Sequence, residues 1–300
     1  MSLPSATGQP ISVRYGAATT TGGTPPVAIA CAPANDGFFP VGSTTVICRA
    51  SDTKTVTDSC SFAVTVTAPP PKLSLTNFVA FGDSMTAGEI VSEGSVPGLR
   101  ILLVDFLKSY PAGLRTGLAA RYTTQANDIV VANLGAPAET AVDGAARLPR
   151  VLSTGTAQAV LLMEGANDLP DTSHALTAMR TMVQTAKSRG LRAFLATLPP
   201  ENPNPACSPN RGKNWAFVVP YNDGLRSIAA SESVVLVDVY SAFNGDTTTL
   251  VDCDGLHPTA LGYQRIADTF LTSIRQTLEL SPSTSPAILT RPTVLTPRRR

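Results

Sequence analysis

The chain has 300 residues, and its 23 Lys and Arg against 22 Asp and Glu leave a net charge of +1. So sparse and balanced a charge lacks the basic field that binding nucleic acid or an anionic membrane surface requires, and no apolar run reaches the ~20 residues of a spanning helix. The length suffices for at least one sizeable core and is compatible with two domains.

The first residues, Met1-Ser2-Leu3-Pro4, show neither a charged n-region nor an apolar h-region, so no signal peptide is visible. A composition low in Lys and rich in Ala, Thr, Val and Pro reads as the mature form of a secreted, extracellular bacterial protein. A cytosolic protein is the plain alternative. Residues 26–67 then alternate apolar and polar. Val27, Ile29 and Cys31 share one parity, as do Val46, Cys48 and Ala50, and Cys60, Phe62, Val64 and Val66. Period two means half-buried strands, and Asn35-Asp36-Gly37 and Pro40-Val41-Gly42 supply turns between them. With one more strand near Ile11 to Tyr15, the pattern predicts a small antiparallel β-sandwich over residues 1–67.

The block from Pro25 to Thr67 resembles the HYR (hyalin repeat) module, an immunoglobulin-like domain of secreted and surface proteins. The likeness rests on Phe39-Pro40-Val41-Gly42 with the following Thr44-Thr45-Val46, on Ala50-Ser51-Asp52, and on Cys60-Ser61-Phe62 with Val64 and Val66. It implies an all-β immunoglobulin-like sandwich and possible contact with glycans or cell-surface material. All three cysteines of this block have inward parity, which does not choose their pairing; Cys31–Cys60 is the preferred bridge, with one thiol left over.

Ala68 to Lys72 is a Pro-rich linker. Beyond it, strand and helix patterns alternate. Apolar runs at 76–81, 129–134, 158–164, 192–198 and 233–239 read as strands buried on both faces. Helical stretches lie near 110–122, 172–188 and 216–230, and a longer one at 259–279 places Leu261, Ile266, Ala267, Phe270, Ile274 and Leu278 near a 3.6 period. This alternation predicts a doubly wound α/β sandwich over 73–280. Residues 281–300 are dominated by Pro, Ser and Thr and predict a disordered tail.

None of the five cysteines forms a C-x-x-C pair, which argues against a zinc site or a thioredoxin-type motif. Cys207 and Cys253 are the expected second bridge, and Cys253 directly precedes Asp254. Disulfides fit an oxidising compartment.

Four blocks stand at the ends of apolar runs: Gly82-Asp83-Ser84, Asn133-Leu134-Gly135, Gly165-Ala166-Asn167-Asp168 and Asp254-Gly255-Leu256-His257. In an open parallel sheet the carboxyl ends of strands converge on one edge, where ligands gather. Ser84 is a nucleophile only if an imidazole takes its proton. His257 is placed for that, with Asp254 three residues upstream to fix its tautomer, whereas His174 has no such setting. The backbone N–H groups of Ser84 and Gly135 and the Asn167 amide make a three-donor oxyanion hole. Asp83 and Asp168 read as structural partners of turn amides. Singly, each block is an ordinary turn or helix cap. The loop from Glu201 to Arg211 is expected to rim the pocket, and Trp215 to touch substrate or fill the core.

Residues 73–280 resemble the SGNH (GDSL-type) hydrolase superfamily at Gly82-Asp83-Ser84, Gly135, Gly165-x-Asn167-Asp168 and Asp254-x-x-His257. The resemblance implies a flavodoxin-like three-layer α/β/α sandwich, with no metal and no cofactor. It also implies a serine esterase with catalytic Ser84, His257 and Asp254 and an oxyanion hole of Ser84, Gly135 and Asn167. The G-x-S-x-G elbow of ordinary α/β-hydrolases is absent, since Thr86 stands where its second Gly would be. Glu164 and Pro137 are less usual and would reshape the acyl side of the pocket. The expectation is a monomer acting on short acyl esters. A polysaccharide deacetylase or a lipase or phospholipase is the alternative within the superfamily. An adhesion protein with an idle hydrolase domain is the alternative from another class.

Overall fold

The computed structural model describes residues 1–95, 98–153, 155–208 and 211–280. The tail expected to be disordered, 281–300, lies outside the described residues. Met1–Pro71 and Lys72–Glu279 form two compact units.

In the first unit the strands are β1 (Ser2–Pro4), β2 (Ile11–Ser12), β3 (Ala28–Ala32), β4 (Phe38–Phe39), β5 (Gly42–Ser51) and β6 (Thr57–Thr67). They make a four-stranded sheet in the order β1-β6-β5-β3, antiparallel except for β1 on β6, and a separate β2–β4 pair. Val46, Cys48, Val64 and Val66 on one layer meet Val13, Tyr15 and Phe39 on the other. The inward parity holds only where that cover reaches. Strands β2 and β4 have two residues each, so the far end of the sheet outruns them, and Ile29 and Cys60 are exposed.

The cysteine pairing differs from the one expected. Cys31 is bonded to Cys48, and Cys60 is free and exposed. Register explains this: Cys31 lies opposite Cys48 across β3–β5, and Cys48 lies opposite Cys60 across β5–β6. Cys31 and Cys60 are therefore two strand spacings apart, about 9.5 Å, too far for a disulfide.

The second unit contains β7 (Lys72–Leu73), β8 (Asn77–Gly82), α1 (Ser84–Ala87), β9 (Glu89–Glu93), β10 (Arg100–Val104), α2 (Tyr110–Arg121), β11 (Val130–Gly135) and α3 (Ala141–Ser153). It continues through β12 (Ala159–Met163), α4 (Ser173–Ser188), β13 (Arg192–Ala196), α5 (Trp215–Glu232), β14 (Val235–Val237), α6 (Val239–Phe243) and α7 (Ala260–Leu278). The parallel sheet runs β11-β8-β12-β13-β14. Counted along the chain this is 2-1-3-4-5, the flavodoxin-like order, whose switch point falls between β8 and β12. Helices α2 and α7 pack together on one face, with Tyr110 stacked on Phe270 at 5.0 Å, and α3, α4 and α5 pack in series.

The centre of the sheet is dry: all five residues of β12 and all of β8 after Asn77 are buried. On α7 the buried stripe is Gly262, Tyr263, Ile266, Ala267, Phe270, Ile274 and Leu278; Leu261, expected in the core, is 61% exposed. The hairpin β9–β10 and helices α1, α3 and α6 are additions to the predicted elements. Helix α3 contains Gly144 and Pro149, whose low helix propensity argues against a helix when the sequence is read alone.

Candidate active site

Ser84 is the first residue of α1, the single turn that follows β8. Asp83 caps that turn, accepting from Met85 N at 3.0 Å, and burial pushes its carboxyl up to about 6. The turn is wedged between three strands, and two glycines make the room. A Cβ on Gly82 would meet Met163 O at 1.9 Å, and one on Gly135 would meet Ala87 N at 2.1 Å. Both obstacles are backbone that cannot rotate away.

His257 arrives from the other end of the unit. Asp254 Oδ1 accepts from Leu256 N and His257 N, each at 3.0 Å, which fixes the turn. Thr259 then caps α7 by accepting from Gly262 N, so the helix begins at Ala260, one residue after the expected start. The loop is tied to a neighbouring strap, because Cys207 is bonded to Cys253 and Asn202 N donates to Gly255 O.

These two segments bring three side chains into line. His257 Nε2 lies 3.0 Å from Ser84 Oγ, and His257 Nδ1 lies 2.7 Å from Asp254 Oδ2. All three residues are buried, at 4% exposed or less. The expected oxyanion donors are nearby but not all free. Gly135 N–H donates to Asn133 Oδ1 at 3.0 Å, and Asn167 Nδ2 gives one hydrogen to Glu139 O at 2.9 Å. Asn167 is exposed on the three-residue 3₁₀ turn that follows Gly165. Asp168 accepts from Ala141 N at 2.9 Å, tying that turn to the start of α3.

The profile of the GDSL-like Lipase/Acylhydrolase family matches residues 80–265, more than half of the chain. The chain belongs to that family. No curated protein matches it. Among solved structures, a lipase/acylhydrolase from Enterococcus faecalis is 21% identical with a TM-score of 0.53, covering 70% of this chain and 100% of its own. A carbohydrate acetylesterase from Sinorhizobium meliloti is 19% identical with a TM-score of 0.52, covering 67% and 99%. An aryl esterase from M. smegmatis is 18% identical with a TM-score of 0.54, covering 67% and 99%. Likeness at these identities establishes the shared fold.

Within this acylhydrolase fold, two charged residues beside His257 were not singled out by any motif. Glu89, at the start of β9, places Oε2 3.2 Å from His257 Nε2. Arg211, from the loop expected to rim the pocket, places Nη1 3.6 Å from Asp254 Oδ2 and 3.3 Å from His257 Nδ1. Both nitrogens are donors, so they share the Asp254 carboxylate rather than bond each other. Burial alone would push the His257 ring down, but its bonds to Asp254 and Glu89 carry it up to about 9. Burial likewise opposes ionisation of Asp254, yet the His257 bond holds its carboxyl below the usual range.

Other expected contributors fall elsewhere. Glu164 does not shape the acyl side: it is buried beneath α3, where a Cβ on Gly144 would meet its Oε2 at 2.4 Å. Burial, with the Asp83 and Glu139 carboxylates nearby, pushes it up to about 10, so it holds a proton at neutral pH. Pro137 is exposed. Trp215 is 52% exposed at the start of α5, which removes it from the core. His174 has a side chain 82% exposed and only Asp171 beside it at 4.0 Å. Among the described residues no cluster of three His, Cys, Asp or Glu could hold a metal ion, and no helix is long and apolar enough to cross a membrane.

Proposed function

We propose that the chain is a serine hydrolase of carboxylic esters, with Ser84 as nucleophile, His257 as general base and acid, and Asp254 as the carboxylate that fixes the ring. The observation that carries this reading is the unbroken line Ser84 Oγ–His257–Asp254, at 3.0 and 2.7 Å. Neutral His257, with its proton on Nδ1, takes the Ser84 proton at Nε2 as Oγ attacks the ester carbonyl. The ring returns that proton to the departing alkoxide, and a water activated at Nε2 then releases the acid from Ser84.

The oxyanion would be met by Ser84 N–H and by the second hydrogen of the Asn167 amide. Gly135 N–H joins them if the oxyanion displaces or shares Asn133 Oδ1.

Short acyl esters are the favoured substrates, since among the described residues no apolar helix is placed over Ser84 as a lid. A second reading, an acetylated polysaccharide, draws support from the separate β-unit Met1–Pro71. We read that unit as a module resembling HYR that holds the enzyme near glycans or acts as a spacer. The bridges Cys31–Cys48 and Cys207–Cys253 support action outside the cell.

The test is hydrolysis of p-nitrophenyl acetate, butyrate and octanoate by the chain and by Ser84→Ala. Activity should fall to background in the variant and decline with acyl length in the parent. Equal rates in the two proteins would remove Ser84 from the chemistry.

A further inference from the structure

Two oxygens compete for one edge of the His257 ring. Nδ1 is committed to Asp254 at 2.7 Å, so that nitrogen carries a proton. At Nε2 stand both Ser84 Oγ, at 3.0 Å, and Glu89 Oε2, at 3.2 Å. A neutral ring presents a lone pair at Nε2, which accepts from a hydroxyl but repels an ionised carboxylate. A carboxylate at 3.2 Å is bonded only when Nε2 also bears a proton. The Glu89 side chain is 17% exposed, largely sheltered beside the buried ring, so water screens the contact weakly.

We propose that Glu89 is a positioning residue that binds the protonated form of His257 through Nε2 and so governs when the ring is free to act as a base. The inference rests on the proposed role of His257. At rest Glu89 holds the imidazolium, and Ser84 has no base. Once the ring loses its Nε2 proton to solvent, that edge belongs to Ser84 Oγ. During turnover the Oγ proton passes to Nε2 as the Oγ–carbon bond forms, and Glu89 accepts a hydrogen bond from the new imidazolium without taking the proton. The proton then leaves with the alkoxide as the ester C–O bond breaks. The resting contact and the transition-state contact are therefore the same bond, which restrains the enzyme in acid and assists it in alkali.

The charges facing the ring come from several elements. Asp254 on its own loop and Glu89 on β9 favour the protonated ring, and Asp83 on the α1 turn adds a weaker attraction. Arg211 opposes them from the Nδ1 side of the ring. Glu201 lies beyond, against Asp254, and burial pushes its carboxyl up to about 7, so it carries only about half a negative charge at neutral pH. Glu89 is the one of these that touches Nε2.

The chain has two histidines, and His257→Gln assigns their ring signals. Proton NMR of the two ring Cε1–H signals is followed against pH in the parent, in Glu89→Gln and in Glu89→Ala. The parent His257 should titrate at least about one pH unit above the ordinary histidine value of about 6.5, and either variant should lower that midpoint by about one pH unit. The acid limb of kcat/KM for p-nitrophenyl acetate should move with it. A His257 midpoint shifted by less than about 0.3 in a folded variant, or one at the ordinary histidine value of about 6.5 in the parent, would overturn the proposal. The ring titration reads Glu89 whether or not esters turn over, whereas an unaltered rate in Ser84→Ala would count against the hydrolase reading alone.

Discussion

At Asn167 one amide hydrogen is committed to Glu139 O, and only the other can reach a substrate oxygen. The bond to Glu139 thus orients the side chain before substrate arrives, a preorganisation that costs nothing during the reaction. Asn167→Ala should lower kcat by about 10²–10³-fold, or about 2.7–4 kcal/mol, with a much smaller change in KM. Steady-state kinetics on p-nitrophenyl acetate checks this, and a loss under threefold would remove the amide from the oxyanion hole. Ser84, Asn167, Asp254 and His257 could be named from the sequence because each sits in a short block at a strand or helix boundary. Glu89 and Arg211 could not. Each reaches His257 from a segment far away in the chain, and an acid after a glycine or an Arg in a loop carries no local signal of that convergence.

Among the elements, buried parallel strands were the most legible. The runs expected at 76–81 and 192–198 appear as Asn77–Gly82 and Arg192–Ala196, because a strand covered on both faces must be apolar throughout. Helix α3 was hidden by Gly144 and Pro149, and the β9–β10 hairpin by its half-exposed, irregular pattern. In the first unit parity was correct near Val46 and Val64 but failed at Cys60, since parity says which side a residue faces and not whether anything covers it. The loop bearing Asp254 and His257 has no regular structure of its own and depends on the strap bonded to it through Cys207–Cys253. Replacing both cysteines with Ser should cost about 2–4 kcal/mol, read from urea unfolding. Turnover should fall further than stability requires, because the base would lose its fixed place. Unchanged kcat in a folded variant would show that the hydrogen bonds of the loop suffice.

At the scale of the whole hydrolase unit, buried acids and the His257 ring set the response to pH. Asp83 at about 6, Glu201 at about 7, His257 at about 9 and Glu164 at about 10 all lie above their ordinary values of 3.8, 4.5, 6.5 and 4.5. Each holds its proton more tightly folded than unfolded. Its contribution is complete below the unfolded value and is lost as pH rises through the folded one. Glu279, held down to about 2 by Arg121, acts in the opposite sense, as do Glu89 and Asp254, which are lowered by His257. Stability should therefore peak between about pH 4 and 6 and decline steadily to pH 9. Urea midpoints across that range test the sign, and a rise towards pH 9 would contradict it.

Ser84 and His257 lie 173 residues apart in the chain and meet only when the loop before α7 is docked. At ordinary rates of synthesis the serine leaves the ribosome about 10–35 s before the histidine proposed as its base. Through that interval the nascent chain carries a hydroxyl with nothing to take its proton, inert towards the esters of the cell that makes it. The linear order of the residues thus delays the chemistry until nearly the whole unit has been made.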